Sequence, residues 1–271
     1  MSNKIEIETL NIGIKNGRND AVCINIPDDA TTALVSTKNK YAAAPVILNK
    51  INITKNNPKY LFINSGNANA CTGKTGMRNT IECTMLLAKK LNCQKEKILM
   101  FSTGIIGRQL PMKLISKKII NHSFKFNSSW ISASKSIMTT DAFNKYLNKT
   151  IMLGKKKISI KGMCKGAGMI EPNMATMLAF ISIDLHLNKT LLSQLLKKAV
   201  DSSFNCISVD GDMSTNDSVA IIATGENKDL NLKNKPQMLS KIENELIQFC
   251  QSLAKMIVKD EIMSRKSSPL R

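Results

Sequence analysis

Apolar and polar residues alternate with period two over residues 21–26, 60–63, 150–153 and 158–160, which predicts strands. Residues 174–183, 206–209 and 219–224 read the same way. Gly154 and the lysines after it predict a hairpin turn joining the strand at 150–153 to that at 158–160. Helical spacing shows over residues 77–91, where Met77, Ile81, Met85, Ala88 and Leu91 fall on one face. Pro111 suits the first turn of a helix reaching Asn121. Residues 191–200 predict another helix. The longest runs from Pro236 to about 259, with Leu239, Ile242, Leu246, Phe249, Leu253 and Met256 on one stripe. Strands and helices mix without strict βαβ alternation, so the expected class is α+β, a layered arrangement rather than a doubly wound parallel sheet.

Composition narrows the partners. At 271 residues and 43% hydrophobic, the chain can bury a core of one or two domains. The opening MSNKIEIETLNIG lacks the apolar core of a signal peptide, and no apolar run reaches membrane-spanning length, so no membrane partner is expected. The seven cysteines are dispersed with no C-x-x-C pair, which argues against a disulfide framework and a thiolate metal site and predicts a reducing, cytoplasmic setting. The net charge of +19 invites a nucleic-acid reading. The excess is mostly lysine spread along the chain beside abundant Asn and Ile, the signature of AT-rich codons. Aromatics are 4%, too few for a stacking platform. No nucleic-acid partner is therefore expected.

Only His122 and His186 are present, neither with a second His or a carboxylate at ligand spacing. A histidine metal centre or Ser-His-Asp triad is not expected, each His reads as a surface or helix-end residue, and any nucleophile must find another base. The glycine-rich NSGNANACTGKTG, residues 64–76, ends like a P-loop in Gly73-Lys74-Thr75, but Ala68 stands where that pattern needs glycine. It reads as a tight polar turn whose Asn64, Asn67 and Asn69 can bond backbone or ligand. FSTGIIG, residues 101–107, reads as a loop. Its Thr103 hydroxyl and Gly104 amide can aim two donors at one point, as an oxyanion hole needs, or the loop can simply cap the next helix. DGDMSTND, residues 210–217, fails the calcium-loop pattern at Thr215 and Ile221 and reads as a polar connection.

The segment KGAGMIEPNMATMLAF, residues 165–180, raises the sharpest question. Thr176 can be an ordinary β-former in the strand at 174–183. Its surroundings also suit a reaction: a glycine loop and the Glu171-Pro172-Asn173 corner constrain the approach, and small Ala175 leaves its carbonyl open. The Thr176 oxygen can add to that carbonyl, forming an ester that water cleaves. The freed α-amine, with an ordinary pKa of about 7.7–8, is then a base beside its own hydroxyl and needs no histidine.

Taken in order, NSGNANACTG, STGIIG, IMTTD, KGAGMIEPNMATMLAFISID and DGDMSTND resemble the ornithine acetyltransferases (glutamate N-acetyltransferases) of arginine biosynthesis, over residues from about 10 to 260. The resemblance implies an α+β sandwich related to self-cleaving aminopeptidases, and a precursor cut between Ala175 and Thr176. Residues 1–175 would form an α chain and 176–271 a β chain, two of each assembling. It implies Thr176 as nucleophile, Thr103 and Gly104 as oxyanion donors, and Lys165 and Thr139, the first threonine of IMTTD, as substrate contacts. The implied reaction moves acetyl from N-acetylornithine to glutamate through acetyl-threonine. No metal or bound cofactor is implied, and acetyl-CoA is a co-substrate in bifunctional members. A cationic Lys165 suits a substrate carboxylate.

The resemblance stops after LAKMIVKD, where the family continues with a glycine-glutamate-glycine-alanine-threonine segment and EIMSRKSSPLR follows here. Glu261 has different neighbours from the family's glutamate, and the later substrate-binding residues lack counterparts. The expected fold is thus incomplete at its C-terminus, with apolar surface open where further strands would pair. The alternatives are a self-cleaving N-terminal-threonine hydrolase or aminopeptidase, and an inactive remnant.

Overall fold

The period-two segments pair into two stacked sheets in a computed structural model, which describes residues 4–167, 177–207, 214–228, 230, 232 and 235–267. One sheet has the order β1 (Glu6–Leu10), β2 (Ala21–Asn25), β4 (Tyr60–Asn67) and β5 (Ile98–Ile105). The other has the order β3 (Thr31–Ser36), β9 (Ser218–Ala223), β8 (Leu178–Ile183), β7 (Lys156–Lys165) and β6 (Lys145–Leu153). The pairs β4–β5 and β8–β9 are parallel, and the remaining neighbours are antiparallel.

Alternation sorts each strand between two cores. Val22, Ile24, Leu61, Ile63, Leu99 and Phe101 face Met163, Leu178, Phe180, Ala220 and Ile222 across the sandwich. Phe101 and Phe180 meet edge to face there, with ring centroids 5.0 Å apart. The outer side of the first sheet, through Cys23, Tyr60, Phe62, Ile98 and Met100, buries against α2 (Gly73–Leu91) and α3 (Met112–Asn121). The outer side of the second, through Ile160, Ile181, Ile183 and Ile221, buries against α5 (Lys189–Asp201) and α6 (Pro236–Ser267). The result is a helix–sheet–sheet–helix sandwich, as the α+β reading expects. LAFISI of β8 is buried at every position because it is a central strand covered on both faces.

The hairpin at Gly154 (φ 61°) forms as expected, with Lys156 and Lys157 already in β7. The α6 stripe also holds: Ile242, Leu246, Phe249 and Leu253 are buried, with Leu239 and Met256 packed at its margin. The face expected for α2 is corrected. Met85 is 54% exposed, and the buried face is Gly76, Thr80, Cys83, Thr84, Leu87 and Ala88. Two of these are polar and escape a hydrophobic stripe, yet they bury cheaply: Thr80 Oγ1 donates to the Gly76 carbonyl (2.9 Å) and Thr84 Oγ1 to that of Ile81 (2.7 Å). Cys206 sits in the 3-10 turn Phe204–Cys206 rather than a strand, and residues 208–213 lie outside the described residues. Among the described residues, the large exposed apolar side chains on edge strands are Ile105 and Met152.

The helix α1 (Ala44–Lys55) was not predicted, because its inner face includes two buried asparagines. It covers edge strand β5. Asn49 Nδ2 donates to the Met100 carbonyl (2.6 Å), and Asn49 Oδ1 accepts from the Met100 N–H (2.8 Å). A side-chain amide thus replaces a neighbouring strand. Asn49→Ala is expected to cost about 1–3 kcal/mol, because both backbone groups lose their partner in the interior. A denaturant midpoint unchanged from the parent would refute this pairing.

Candidate functional site

The polar motifs collect at one end of the sandwich. The strand β4 runs through Asn64-Ser65-Gly66-Asn67, and β5 through Phe101-Ser102-Thr103-Gly104-Ile105, so both segments read as loops are strand ends. Parallel pairing aligns Ser65 with Thr103 and Gly66 with Gly104. Gly104 has φ +130°, and a Cβ there would lie 2.3 Å from the Gly66 carbonyl carbon and 2.6 Å from the Asn67 nitrogen. Glycine is therefore demanded twice, by backbone conformation and by strand approach. Gly104→Ala is expected to lower stability by about 1–3 kcal/mol through this overpacking, read as a shifted denaturation midpoint. The Thr103 hydroxyl makes no hydrogen bond to a described residue and stays available as a donor.

The asparagines bond backbone, as one of their two readings held. Asn64 Nδ2 donates to the Asn67 carbonyl (2.8 Å), Asn67 Nδ2 to those of Arg108 and Gln109, and Asn69 Nδ2 to that of Gly76. Ser102 Oγ donates to Asn64 Oδ1 (2.6 Å). From the other sheet, Asn216 Nδ2 donates to the carbonyls of Ala68 (2.7 Å) and Ser102 (2.8 Å). This contact ties the segment leading into β9 to the ends of β4 and β5.

Thr139 follows α4 (Trp130–Ser136), whose Trp130 and Ala133 join the core between the sheets. The Thr139 N–H donates to Asp141 Oδ2 (2.8 Å). The other oxygen of Asp141 accepts from Gly166 N–H (2.8 Å) and Lys145 Nζ (2.7 Å). Lys145 also bonds Asp260, and all three side chains are fully buried. Lys165 Nζ stands 3.9 Å from Asp141 Oδ2. Asp141 is thus the hub that gathers Thr139, Gly166 and Lys165. The sequence reading quoted it within IMTTD and gave it no role. Burial alone would raise its pKa, but Lys165, Lys145 and the Gly166 amide outweigh that and hold it at about 2. Burial lowers the pKa of Lys165.

Ala175 and Thr176 lie outside the described residues, as does the Glu-Pro-Asn corner. Their flanks are described. Lys165 pairs with Leu178 at the start of β8, and Leu178 with Ser218 at the start of β9. The Met177 N–H, one residue past Thr176, donates to Asp217 Oδ1 (2.9 Å). Asp217 is almost wholly buried, and Oδ2 has no hydrogen-bond partner among the described residues. Burial pushes its carboxyl well above the usual range, against the opposing pull of Met177 N–H, Ser214 and Lys165.

Lys15 is a site residue that the sequence reading missed. Asp20 organises its loop, with Oδ1 accepting from Ile12 N–H (2.7 Å) and Oδ2 from the N–H groups of Ile14 (2.6 Å) and Lys15 (2.8 Å). The Lys15 stem runs over Gly66, where an added Cβ would come within 3.2 Å of its Cγ. Its Nζ donates to Ser65 Oγ and to the Met138 carbonyl, beside Thr139. The only hint was G-x-K-x-G-x-x-D spacing in a loop, too generic to single out a lysine.

His122 is a helix-end residue as expected: it caps α3, its ring 2.8 Å from Glu8 Oε1 and edge-on to Phe124. Among the described residues, no three His, Cys, Asp or Glu side chains gather as a metal site, and no helix is long and apolar enough to cross a membrane.

The sequence model of the ArgJ family matches residues 6–266. A curated relative, the mitochondrial arginine biosynthesis bifunctional protein ArgJ of Dictyostelium discoideum, is 43% identical over 91% of this chain and 56% of its own length. The glutamate N-acetyltransferase of Methanocaldococcus jannaschii is 42% identical over 92% of this chain and 62% of its own. The chain thus spans roughly three-fifths of the length of these relatives. Ornithine acetyltransferase of Mycobacterium tuberculosis, solved in complex with ornithine, has a TM-score of 0.52 and 27% identity, covering 62% of this chain and 91% of that one. The L-aminopeptidase D-Ala-esterase/amidase of Ochrobactrum anthropi, described as a variant of the Ntn hydrolase fold, shares the fold at a TM-score of 0.50 and 9% identity, covering 93% of this chain and 82% of that one.

Proposed function

Since the chain belongs to the ArgJ family, we propose that it carries the acetyl-transfer site of an ornithine acetyltransferase, moving acetyl from N-acetylornithine to glutamate. The observation that carries this reading is the meeting of motifs far apart in sequence. Thr139, Lys165 and the strand that follows Thr176 meet around Asp141 and the β7–β8 pairing. Lys15 ties the turn before Thr139 to Ser65, beside Gly66 and its partner Gly104.

In this reading a cut between Ala175 and Thr176 frees the Thr176 α-amine, leaving chains 1–175 and 176–271. That amine takes the hydroxyl proton as Thr176 Oγ adds to the acetyl carbonyl of N-acetylornithine. Thr103 and Gly104 donate to the resulting oxyanion, a contribution of ~3 kcal/mol or more. The amide C–N bond breaks, ornithine leaves with the proton, and acetyl stays on Thr176 as an ester. The amine of glutamate attacks that ester, gives N-acetylglutamate and returns the hydroxyl. Lys165 and Thr139 hold the amino acid. The cut is supported by lengths: the crystallised ornithine acetyltransferase chain is almost wholly matched by less than two-thirds of this one, as a separated α chain would be. Acetyl-CoA as a second donor, a tetramer of two α and two β chains, and a reducing cytoplasmic setting, which suits seven free cysteines, belong to the same proposal.

Mass spectrometry of the purified chain given acetyl-labelled N-acetylornithine tests it. Two fragments meeting at 175/176, label on the second, and labelled N-acetylglutamate once glutamate is added are expected. A single uncut chain, or labelled acetate alone, would overturn it.

A further inference from the structure

Outside the residues given a role above, one further cation among the described residues has its ammonium bonded beside them, that of Lys15. Lys145 is neutralised by Asp141 and Asp260, and Lys165 shares Asp141. Lys15 has no carboxylate within ion-pair distance among the described residues, and both oxygens of Asp20 accept from backbone N–H groups. Its ammonium gives two of three N–H donors to Ser65 Oγ and the Met138 carbonyl, which leaves the third. Ser65 neighbours Gly66, the partner of Gly104, and Met138 neighbours Thr139. The head of Lys15 is therefore pinned between the Thr103-Gly104 donors and the Thr139 turn. It is also half-buried, more open than Lys165 at 3% exposure.

From this geometry we propose that Lys15 is a substrate-contacting residue, which takes the α-carboxylate of the amino acid together with Lys165. The inference rests on the acetyl-transfer reading and deepens it. N-acetylornithine and glutamate differ at the far end of the side chain. They share a carboxylate on the carbon that bears the exchanged nitrogen. One site that accepts both in turn needs an anchor for that shared group, placed a short way from the oxyanion donors. A preorganised lysine with a spare donor fits that task. Burial, then Arg18 and Lys165, lower the Lys15 pKa to about 8 against the opposing pull of Asp20 and Asp141, and a bound anion would favour the charged form.

The test compares ornithine with putrescine, the same diamine without its carboxylate, by calorimetric titration of the purified chain. The parent chain should prefer ornithine. Lys15→Met should lose that preference, weakening ornithine on the order of ten- to a hundredfold and leaving putrescine unchanged. A merely structural role would weaken both ligands alike. Lys15→Gln, which keeps a donor for Ser65 or Met138 and drops the charge, should lose the preference too, and serves if the Met variant fails to fold. If Lys15→Gln keeps the parent preference, the inference falls alone. If the parent chain binds ornithine no better than putrescine, the inference and the acetyl-transfer reading fall together.

Discussion

A Thr176→Ala chain should remain in one piece, fold, and take up no acetyl label. One side chain is asked to do two things, to attack the Ala175 carbonyl and then to carry acetyl. Alanine ends both by removing the oxygen that forms each ester. The transfer rate should fall on the order of a millionfold, the scale at which a catalytic group fails when its nucleophile is lost. The two oxyanion donors cannot compensate, because they stabilise charge that no longer develops. Folding should survive. The peptide that continues from Thr176 is held by Met177 N–H on Asp217 and by the pairing of Leu178 with Lys165 and Ser218, and none of these uses the threonine side chain. Thr176→Ser should keep both reactions at reduced rate, because the hydroxyl and the α-amine persist. Cleavage or labelling of the alanine chain would move the nucleophile elsewhere.

Lys145→Met should unfold the protein by about 3–5 kcal/mol, the cost of leaving buried charge without its partner. Lys145 is bonded to both Asp141 and Asp260, and all three side chains are closed to solvent. With methionine there, two buried carboxylates lose their shared cation, and Lys165 beside Asp141 offsets only part of that loss. The pH profile gives a second readout. The Asp141 pKa is depressed in the fold, so its contribution to stability is present above the ordinary carboxylate value near 3.9 and is lost as pH falls toward about 2. The methionine chain should instead begin to change stability at pH above 3.9, as the unpaired carboxyl holds its proton longer. Adding Asp141→Asn and Asp260→Asn should recover much of the loss, because the charges then vanish together. A melting curve for Lys145→Met that matches the parent at pH 7 would rule out the triad as a support. Thr139 and Lys165 hang from the same hub, so substrate binding should weaken in parallel with stability.

Much of this was legible in the chain, for identifiable reasons. Strands such as β2, β4 and β8 announce themselves because each face meets an apolar layer. The long stripe of α6 does so because it covers a whole sheet. An element, or the side of it that is buried, escapes when its buried face is polar. Those of α1 and α2 include Asn49, Thr80 and Thr84, which bond backbone groups that no sequence pattern displays. The strand ends at 64–67 and 101–105 looked like loops because glycines and hydroxyls dominate there. In fact those glycines let two parallel strands close together. The ordered motifs identified the family and named Thr103, Gly104, Thr139 and Lys165, but no spacing rule could find their supports. Asp141, Asp217 and Lys15 reach the site from three separated parts of the chain, through contacts that exist only after folding.

The strands β8 and β9 come after the proposed cut, yet they lie in the middle of their sheet, between β3 and β7, which come before it. Severing 175 from 176 would therefore yield two pieces that still share one interior, with no small domain free to drift away. Denaturation is where the difference would surface. An intact chain refolds at a rate independent of dilution, since its own backbone keeps every strand at hand. A cut one must first find its other half, so its recovery would slow as concentration falls. Maturation would thus turn a reversible fold into one assembled a single time, whose working life is set by how slowly it opens.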